Sequence, residues 1–235
     1  MSHGPEQDRG RDDERETGLV GDRPTLYGAT MRRGPVVLLV LVLAVLAWSA
    51  IGPYRYGTWF LETVWVFAGI TVILATWRRF PLTTLLCVLL ALHAVVLAYG
   101  GHYTYARTPL GNWFGFDRNP YDRLGHFMQG FTPAIGVREI LWRCSPLRGS
   151  RWLAPLTVSV ALAFSALWEL FEWAGAYATA GGDPAFLGAQ GDPWDTQWDM
   201  ALALVGAIVS LALFSRAHDR QLLCIERDRA RADEP

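Results

Sequence analysis

Apolar residues follow one another in long runs along most of this chain, and short charged stretches separate the runs. A helix that crosses the hydrocarbon core of a bilayer needs about 20 mostly apolar residues, because it rises about 1.5 Å per residue. We therefore predict a membrane-spanning helix from each run of about that length. These runs are residues 35–51, 59–77, 80–99, 152–178 and 200–215.

A more polar segment, residues 124–142, lies between the third and fourth of these runs. It contains His126, Arg138 and Glu139, which would be costly to expose to lipid. We expect it to form a further helix that is surrounded by the others. The predicted fold is thus all-α, a polytopic membrane helix bundle with about six transmembrane helices.

Arginines cluster at every second boundary between the predicted helices. Short loops rich in positive charge are retained in the cytoplasm. We therefore place that end of the bundle, together with both chain termini, in the cytoplasm. The loop at residues 179–197 has three aspartates and no basic residue, so we place it outside. The arginines predicted to be cytoplasmic are Arg32, Arg33, Arg78, Arg79, Arg143, Arg148, Arg151, Arg216 and Arg220.

Both ends of the chain differ in composition from the predicted bundle at residues 32–216. Residues 1–31 mix charged residues with Gly and Pro and show no apolar period, so we predict a disordered cytoplasmic tail. A cleaved signal peptide is the alternative, because Arg32 and Arg33 precede an apolar run, but the long acidic leader argues against cleavage. Residues 217–235 are predicted to form a charged cytoplasmic C-terminal tail.

The composition narrows the class of protein further. Hydrophobic residues make up 51 % of the chain, in uncharged runs, so the lipid bilayer is the expected partner. The arginines occur in short clusters and the formal net charge is −1, so we expect no nucleic-acid partner. The three cysteines, Cys87, Cys144 and Cys224, are far apart and are expected to be free thiols.

Ionisable residues occur in pairs within the predicted helices, at spacings that place both members on one helix face. An ionisable group inside a bilayer costs several kcal/mol unless it meets a partner, so such pairs indicate a site. The predicted topology brings all three pairs to the external half of the bundle. The pairs are Asp122 with His126, Glu169 with Glu172, and Asp195 with Asp199. A further aspartate, Asp192, precedes the third pair.

Up to five carboxylates and one imidazole packed around one seam would repel one another unless a cation or protons neutralised them. Carboxylates and histidines on facing helices are typical of metal sites in helix bundles. We therefore expect a divalent metal ion, whose identity the spacing does not determine. The predicted ligands are His126, Glu169, Glu172 and Asp199. Asp122, Asp192 and Asp195 are predicted to act as general base or to support the ligands.

Two alternatives to a metal site stay open at this point. The carboxylates could pair with arginines such as Arg123 or Arg138 in a structural polar network, or they could form a proton or ion pathway. Three isolated polar residues, Glu62, His93 and His102, are weaker candidates for a role. The small residues Gly125, Gly130, Gly136 and Gly206 are expected to permit close helix packing.

Several of these segments resemble a known family. The motifs at residues 121–127, 169–172, 188–192 and 198–200 are similar to those of the YjdF-like bacterial inner-membrane proteins. This resemblance covers residues 38–214 and implies a multi-pass protein of the bacterial inner membrane. It implies no particular reaction. A looser resemblance is to VanZ-like membrane proteins, from which this chain differs by having acidic residues at Glu172 and Asp199.

Two hypotheses of function follow. In the first, the protein is an enzyme whose metal ion supports hydrolysis or transfer on a lipid or envelope substrate. In the second, the cluster belongs to a non-catalytic scaffold or to an ion or small-molecule pathway. The sequence contains no G-x-S-x-G, H-E-x-x-H or phosphate-binding glycine motif. No sequence motif therefore assigns the protein to one of the enzyme classes that these motifs mark.

Overall fold

The computed structural model describes residues 26–113, 115, 118–178 and 190–232, and every regular element in this part of the chain is a helix. This confirms the predicted all-α fold. A 3-10 turn (Tyr105–Arg107) and a one-turn helix, α4 (Pro109–Asn112), connect two of the long helices. The long helices are α1 (Leu26–Ser49), α2 (Tyr56–Thr76), α3 (Thr84–Tyr103), α5 (Tyr121–Cys144), α6 (Leu153–Ala178) and α7 (Asp195–Ala232).

Four of the long helices are long and apolar enough to cross a membrane on their own. The apolar part of α1, Arg33–Ser49, is shorter. The more polar α5 packs against α3, α6 and α7, so its polar residues face protein rather than lipid. The six long helices thus correspond one to one with the six predicted spans. The four helices with sufficient length and hydropathy are α2, α3, α6 and α7.

The helices form two packed groups that share α3. On one side, α1 and α2 both pack on α3 through a cluster that includes Val42, Val66 and Ala98. On the other side, α3, α6 and α7 surround α5, where Ile135 and Ala207 are fully buried. Helix α5 is therefore the centre of the bundle, and its polar residues are held by their neighbours.

Two glycines permit α5 and α7 to approach closely, as expected from the sequence. A Cβ atom on Gly130 would overlap the carbonyl oxygen of Ala203, and one on Gly206 would overlap the carbonyl oxygen of Phe127. Both obstacles are backbone atoms, which cannot rotate away as a side chain can. The close approach brings the start of α7 against the start of α5.

We expect Gly130→Ala to destabilise the protein by about 1–3 kcal/mol, because the added methyl group forces α5 and α7 apart. Gly69→Ala is the matched control, since a Cβ atom at Gly69 meets nothing within 4 Å. Unfolding in detergent, followed by circular dichroism, measures both variants. Equal stability of the two would contradict the close packing of α5 on α7.

A buried polar cluster at the arginine-rich end joins α3, α5 and α7 around Glu139, which is fully buried. Its carboxylate accepts hydrogen bonds from Thr83 Oγ1 at 2.8 Å and Arg143 Nη1 at 2.7 Å. His218 Nε2 lies 3.1 Å from the same carboxylate, and Arg138 bonds to Asp219 at 2.6 Å. Each of these side chains makes at least one bond within the cluster, so the cluster acts as a structural connection.

This cluster explains where α7 differs from the expected boundary of the bundle. The helix does not end near residue 216 but continues to Ala232 through the segment expected to be a charged tail. His218, Leu222 and Ile225 recur at helical spacing and are buried, which gives the extension an inward face. At the other end, α1 begins at Leu26, and residues 1–25 of the predicted N-terminal tail lie outside the described residues.

Candidate functional site

His126 lies in the second turn of α5, and carboxylates from three helices surround its imidazole. Its Nε2 atom is 3.7 Å from Asp122 Oδ1 on the same helix and 3.7 Å from Asp199 Oδ2 on α7. Its Nδ1 atom is 3.5 Å from Glu169 Oε1 on α6. All four side chains are buried, with exposed fractions between 2 % and 8 %. The i, i+4 spacing on α5 and the close α5–α7 packing bring them together.

Gln129 contacts one ring nitrogen of His126 and so influences which of the two nitrogens carries the proton. The amide oxygen Oε1 of Gln129 lies 3.1 Å from Nδ1, and an amide oxygen only accepts hydrogen bonds. When the ring is neutral and Nδ1 donates to this oxygen, Nε2 turns its lone pair toward Asp122 and Asp199. Nε2 lies 3.7 Å from an oxygen of each aspartate, which is too long for a direct hydrogen bond.

Two carboxylate oxygens beside the histidine have no hydrogen-bond partner among the described residues. They are Glu169 Oε1 and Asp199 Oδ1, and both are inaccessible to solvent. A buried polar atom normally finds a partner, and an unpaired one costs about 1–3 kcal/mol or more when charged. These oxygens therefore mark a place where a further group, a cation or a proton, would relieve the cost.

Arg118 supplies most of the positive charge next to this cluster. Its guanidinium contacts Asp122 Oδ2 at 3.3 Å, Asp192 Oδ2 at 3.3 Å and Asp195 Oδ1. Arg123 Nη2 adds a second contact to Asp192 at 3.2 Å. Arg118 therefore joins the residues just before α5 to the start of α7, and it covers the outer side of the histidine cluster.

The charges in this region do not balance. Among the described residues, six carboxylates lie in and around the site, and Arg118 and Arg123 provide two positive charges against them, which leaves four negative charges if all six are ionised and His126 is neutral. Some of these carboxylates must therefore carry protons or contact a further cation. The six are Asp122, Glu169, Glu172, Asp192, Asp195 and Asp199.

The structure separates the predicted site residues into four sets. Asp122, His126 and Asp199 form the tightest group, with ligand atoms that all lie within 4.8 Å of one another. Glu169 lies on the other side of the imidazole, and Asp192 and Asp195 contact Arg118. Glu172 accepts a hydrogen bond from Trp168 Nε1 at 2.8 Å on its own helix. Its role as a ligand stays a prediction, as do the ligand roles of His126, Glu169 and Asp199. The general-base role of Asp122, Asp192 and Asp195 also stays a prediction.

The weaker candidates have partners elsewhere or line another surface. Glu62 accepts a hydrogen bond from Tyr105 Oη at 3.1 Å, and His102 Nδ1 lies 2.9 Å from the Ser49 carbonyl oxygen at the end of α1. His93 lines a groove between the first three helices. Arg138, an alternative partner for the acids, lies in the cluster at the opposite end of the bundle.

Three residues that complete the site are not among the predicted ligands or general bases. Arg118 and Gln129 stand four residues before Asp122 and three after His126, so helical spacing could have drawn attention to them. Gln190 bonds in both directions to the backbone of Asn119, at 3.1 Å and 3.0 Å. That contact spans 71 positions of the chain and has no local signal in the sequence.

The fold and the site together define a class, a multi-pass membrane protein whose bundle holds a buried acid and histidine cluster at one end. A family model, "Predicted membrane protein (DUF2238)", matches residues 34–220, and the chain belongs to this family. The chain is also 48 % identical over 182 residues to "Inner membrane protein YjdF" of Escherichia coli (strain K12), which covers 76 % of this chain and 87 % of that protein. No solved structure matches.

These comparisons confirm the predicted resemblance to the YjdF-like proteins. The protein is accordingly a multi-pass protein of the bacterial inner membrane, with the lipid bilayer as its partner.

Proposed function

We propose that Asp122, His126 and Asp199 bind a divalent metal ion at the external end of the bundle. The observation that carries this proposal is the position of His126 Nε2, which is 3.7 Å from an oxygen of each aspartate. The unpaired Asp199 Oδ1 atom and the excess of carboxylates give independent support. A cation is the group that satisfies all of these atoms at once.

The distances suit a metal after a small adjustment. Nitrogen and oxygen ligands lie about 2.0–2.2 Å from Zn²⁺, so two ligands of a tetrahedral ion are about 3.4 Å apart. The observed 3.7 Å requires each side chain to move by a few tenths of an ångström. One imidazole with two or more carboxylates suits Zn²⁺, Fe²⁺ or Mn²⁺ better than a site made of oxygen atoms alone.

Such an ion would activate water or polarise a phosphoryl or carbonyl oxygen, which is the chemistry of hydrolysis or transfer on a lipid or envelope substrate. Glu169 and Gln129 would orient His126 from its Nδ1 side. Arg118 and Arg123 lie beside the ligands and would attract an anionic substrate. Asp195 and Asp192, which these arginines hold, are the acids outside the ligand group that would act as general base.

The second candidate function is a non-catalytic polar network. The contacts of Arg118 with Asp122, Asp192 and Asp195 favour it, because one guanidinium then locks the start of α5 to the start of α7. In that case protons on the remaining acids replace the metal ion.

Elemental analysis of the protein, purified in detergent without chelators, distinguishes the two functions. We expect about one divalent metal ion per chain in the wild-type protein and a background amount in His126→Ala. His102→Ala is the matched control, because His102 is bound at the end of α1, and it should keep its metal. A folded wild-type protein that stays free of metal after incubation with Zn²⁺, Mn²⁺ and Fe²⁺ would contradict the metal site.

Gln129 offers a test of how the histidine is oriented. We expect Gln129→Ala to weaken metal binding about 10–100-fold, because partners that fix the tautomer of a ligating histidine typically contribute that much. Titration calorimetry with Zn²⁺ measures the change, with Gln221→Ala at the opposite end of the bundle as control. Unchanged affinity in Gln129→Ala would show that the amide does not orient the ring.

A further inference from the structure

A groove opens between α1 and α2, with α3 as its floor. Both helices pack on α3 but make little or no backbone contact with each other, so a gap separates them. The groove has a volume of about 1100 Å³. Its walls are mainly aliphatic and aromatic side chains, among them Leu38, Val42, Trp65, Ile70, Leu90 and Leu97.

The position of the groove determines what can fill it. Its walls belong to the apolar segments Arg33–Ser49, Tyr56–Thr76 and Thr84–Tyr103, so it faces the hydrocarbon region of the bilayer and not water. Pockets that hold drug-sized molecules measure about 300–1,000 Å³. This groove therefore has room for the hydrocarbon chain of a membrane lipid, and its lining is mainly apolar, with Thr84 and His93 as polar side chains on α3.

The arginine-rich end of the groove carries the charge that selects a headgroup. Pro35, Trp77 and Pro81 line this end, and in the sequence Arg33, Arg78 and Arg79 adjoin them. The extension of α7 closes the rim, where Arg229 Nη2 donates to the Arg79 carbonyl oxygen at 2.7 Å and Asp228 lines the groove. Four arginines against one aspartate give the rim a net positive charge. A tryptophan beside arginines is typical of the level of lipid phosphates.

We propose that this groove binds one anionic phospholipid of the leaflet on the arginine-rich side, with an acyl chain between α1 and α2 and the phosphate at the arginine rim. The site is separate from the acid and histidine cluster, which lies at the other end of the bundle. It requires neither a metal ion nor the proposed reaction.

Blocking the groove tests the acyl-chain part of the proposal. A side chain at Gly69 on α2 would enter open space in the groove, since a Cβ atom there meets nothing within 4 Å. Gly57→Phe is the matched control, because Gly57 is on the same helix with equally open surroundings and does not line the groove. Protein purified from bilayers of phosphatidylglycerol and phosphatidylcholine with identical chains is analysed for retained lipid by native mass spectrometry.

We expect the wild-type protein and Gly57→Phe to retain phosphatidylglycerol in preference to phosphatidylcholine, and Gly69→Phe to retain about tenfold less of it. Replacing Arg78 and Arg79 by Gln should lower the preference about fivefold per arginine, while the same change at Arg216 and Arg220 should leave it unaltered. Equal retention by Gly69→Phe and Gly57→Phe would overturn the groove as the site. Equal retention of the two lipids by the wild-type protein would overturn the choice of an anionic headgroup.

Discussion

Glu139→Ala is expected to lower the free energy of unfolding by about 3–5 kcal/mol. The substitution leaves a buried guanidinium, an imidazole and a threonine hydroxyl without the carboxylate that accepts from them. Breaking a buried charge pair from one side is costly, because the remaining charge stays out of water. Unfolding of the purified protein in mixed micelles of increasing denaturant measures the change.

Glu226→Ala is the matched control for this prediction. Glu226 also joins α7 to the segment that follows α5, through Arg148 at 2.9 Å, but both of these side chains are about one-third exposed or more. Exposed pairs contribute about 0–1 kcal/mol, so this variant should unfold close to the wild type. Glu139→Gln, which keeps the size and one acceptor, should fall between the two. A loss in Glu139→Ala no larger than in Glu226→Ala would refute the structural role of the cluster.

Arg118→Ala is expected to destabilise the protein by about 2–5 kcal/mol, because the change leaves up to three aspartates without their shared cation. The start of α7 should then separate from the start of α5. Hydrogen exchange of the backbone at residues 190–200 should rise relative to that at residues 215–225, where the Glu139 cluster holds the same helix. Exchange that rises equally at both ends would point to general unfolding and contradict this local role.

The same variant separates the two candidate functions. If the acids bind cations, millimolar Mn²⁺ or Zn²⁺ should restore much of the lost stability in Arg118→Ala, while NaCl at equal ionic strength should not. Arg107→Ala is the control for a loop arginine outside the site, since its guanidinium stacks on Tyr54 at 4.2 Å. Absence of any rescue would favour the purely structural network.

Helix count and helix type could be predicted from the sequence, because long apolar runs have few alternatives in a bilayer. The polar α5 was also predictable, since its ionisable residues exclude lipid on every side. The length of α7 was not. Its extension depends on burial of His218, Leu222 and Ile225 against other helices, and the charges between them resemble those of a solvated tail.

The acid and histidine cluster was predictable in part, because helical spacing and topology together place several of its residues near one another. Spacing of four residues placed Asp122 under His126, and topology brought Asp199 to the same depth. Asp122 joins the tight group because it precedes His126 by about one turn of the same helix. Glu172 lies on α6 and bonds to Trp168, and neither spacing nor topology indicates that contact.

Anomalous X-ray scattering from crystals grown with Mn²⁺ tests the central claim most directly. The account predicts one strong peak about 2.0–2.3 Å from His126 Nε2 and from an oxygen of both Asp122 and Asp199. The peak should be absent in Asp199→Asn crystals grown under the same conditions. Wild-type crystals with no peak among these three side chains would contradict the metal site.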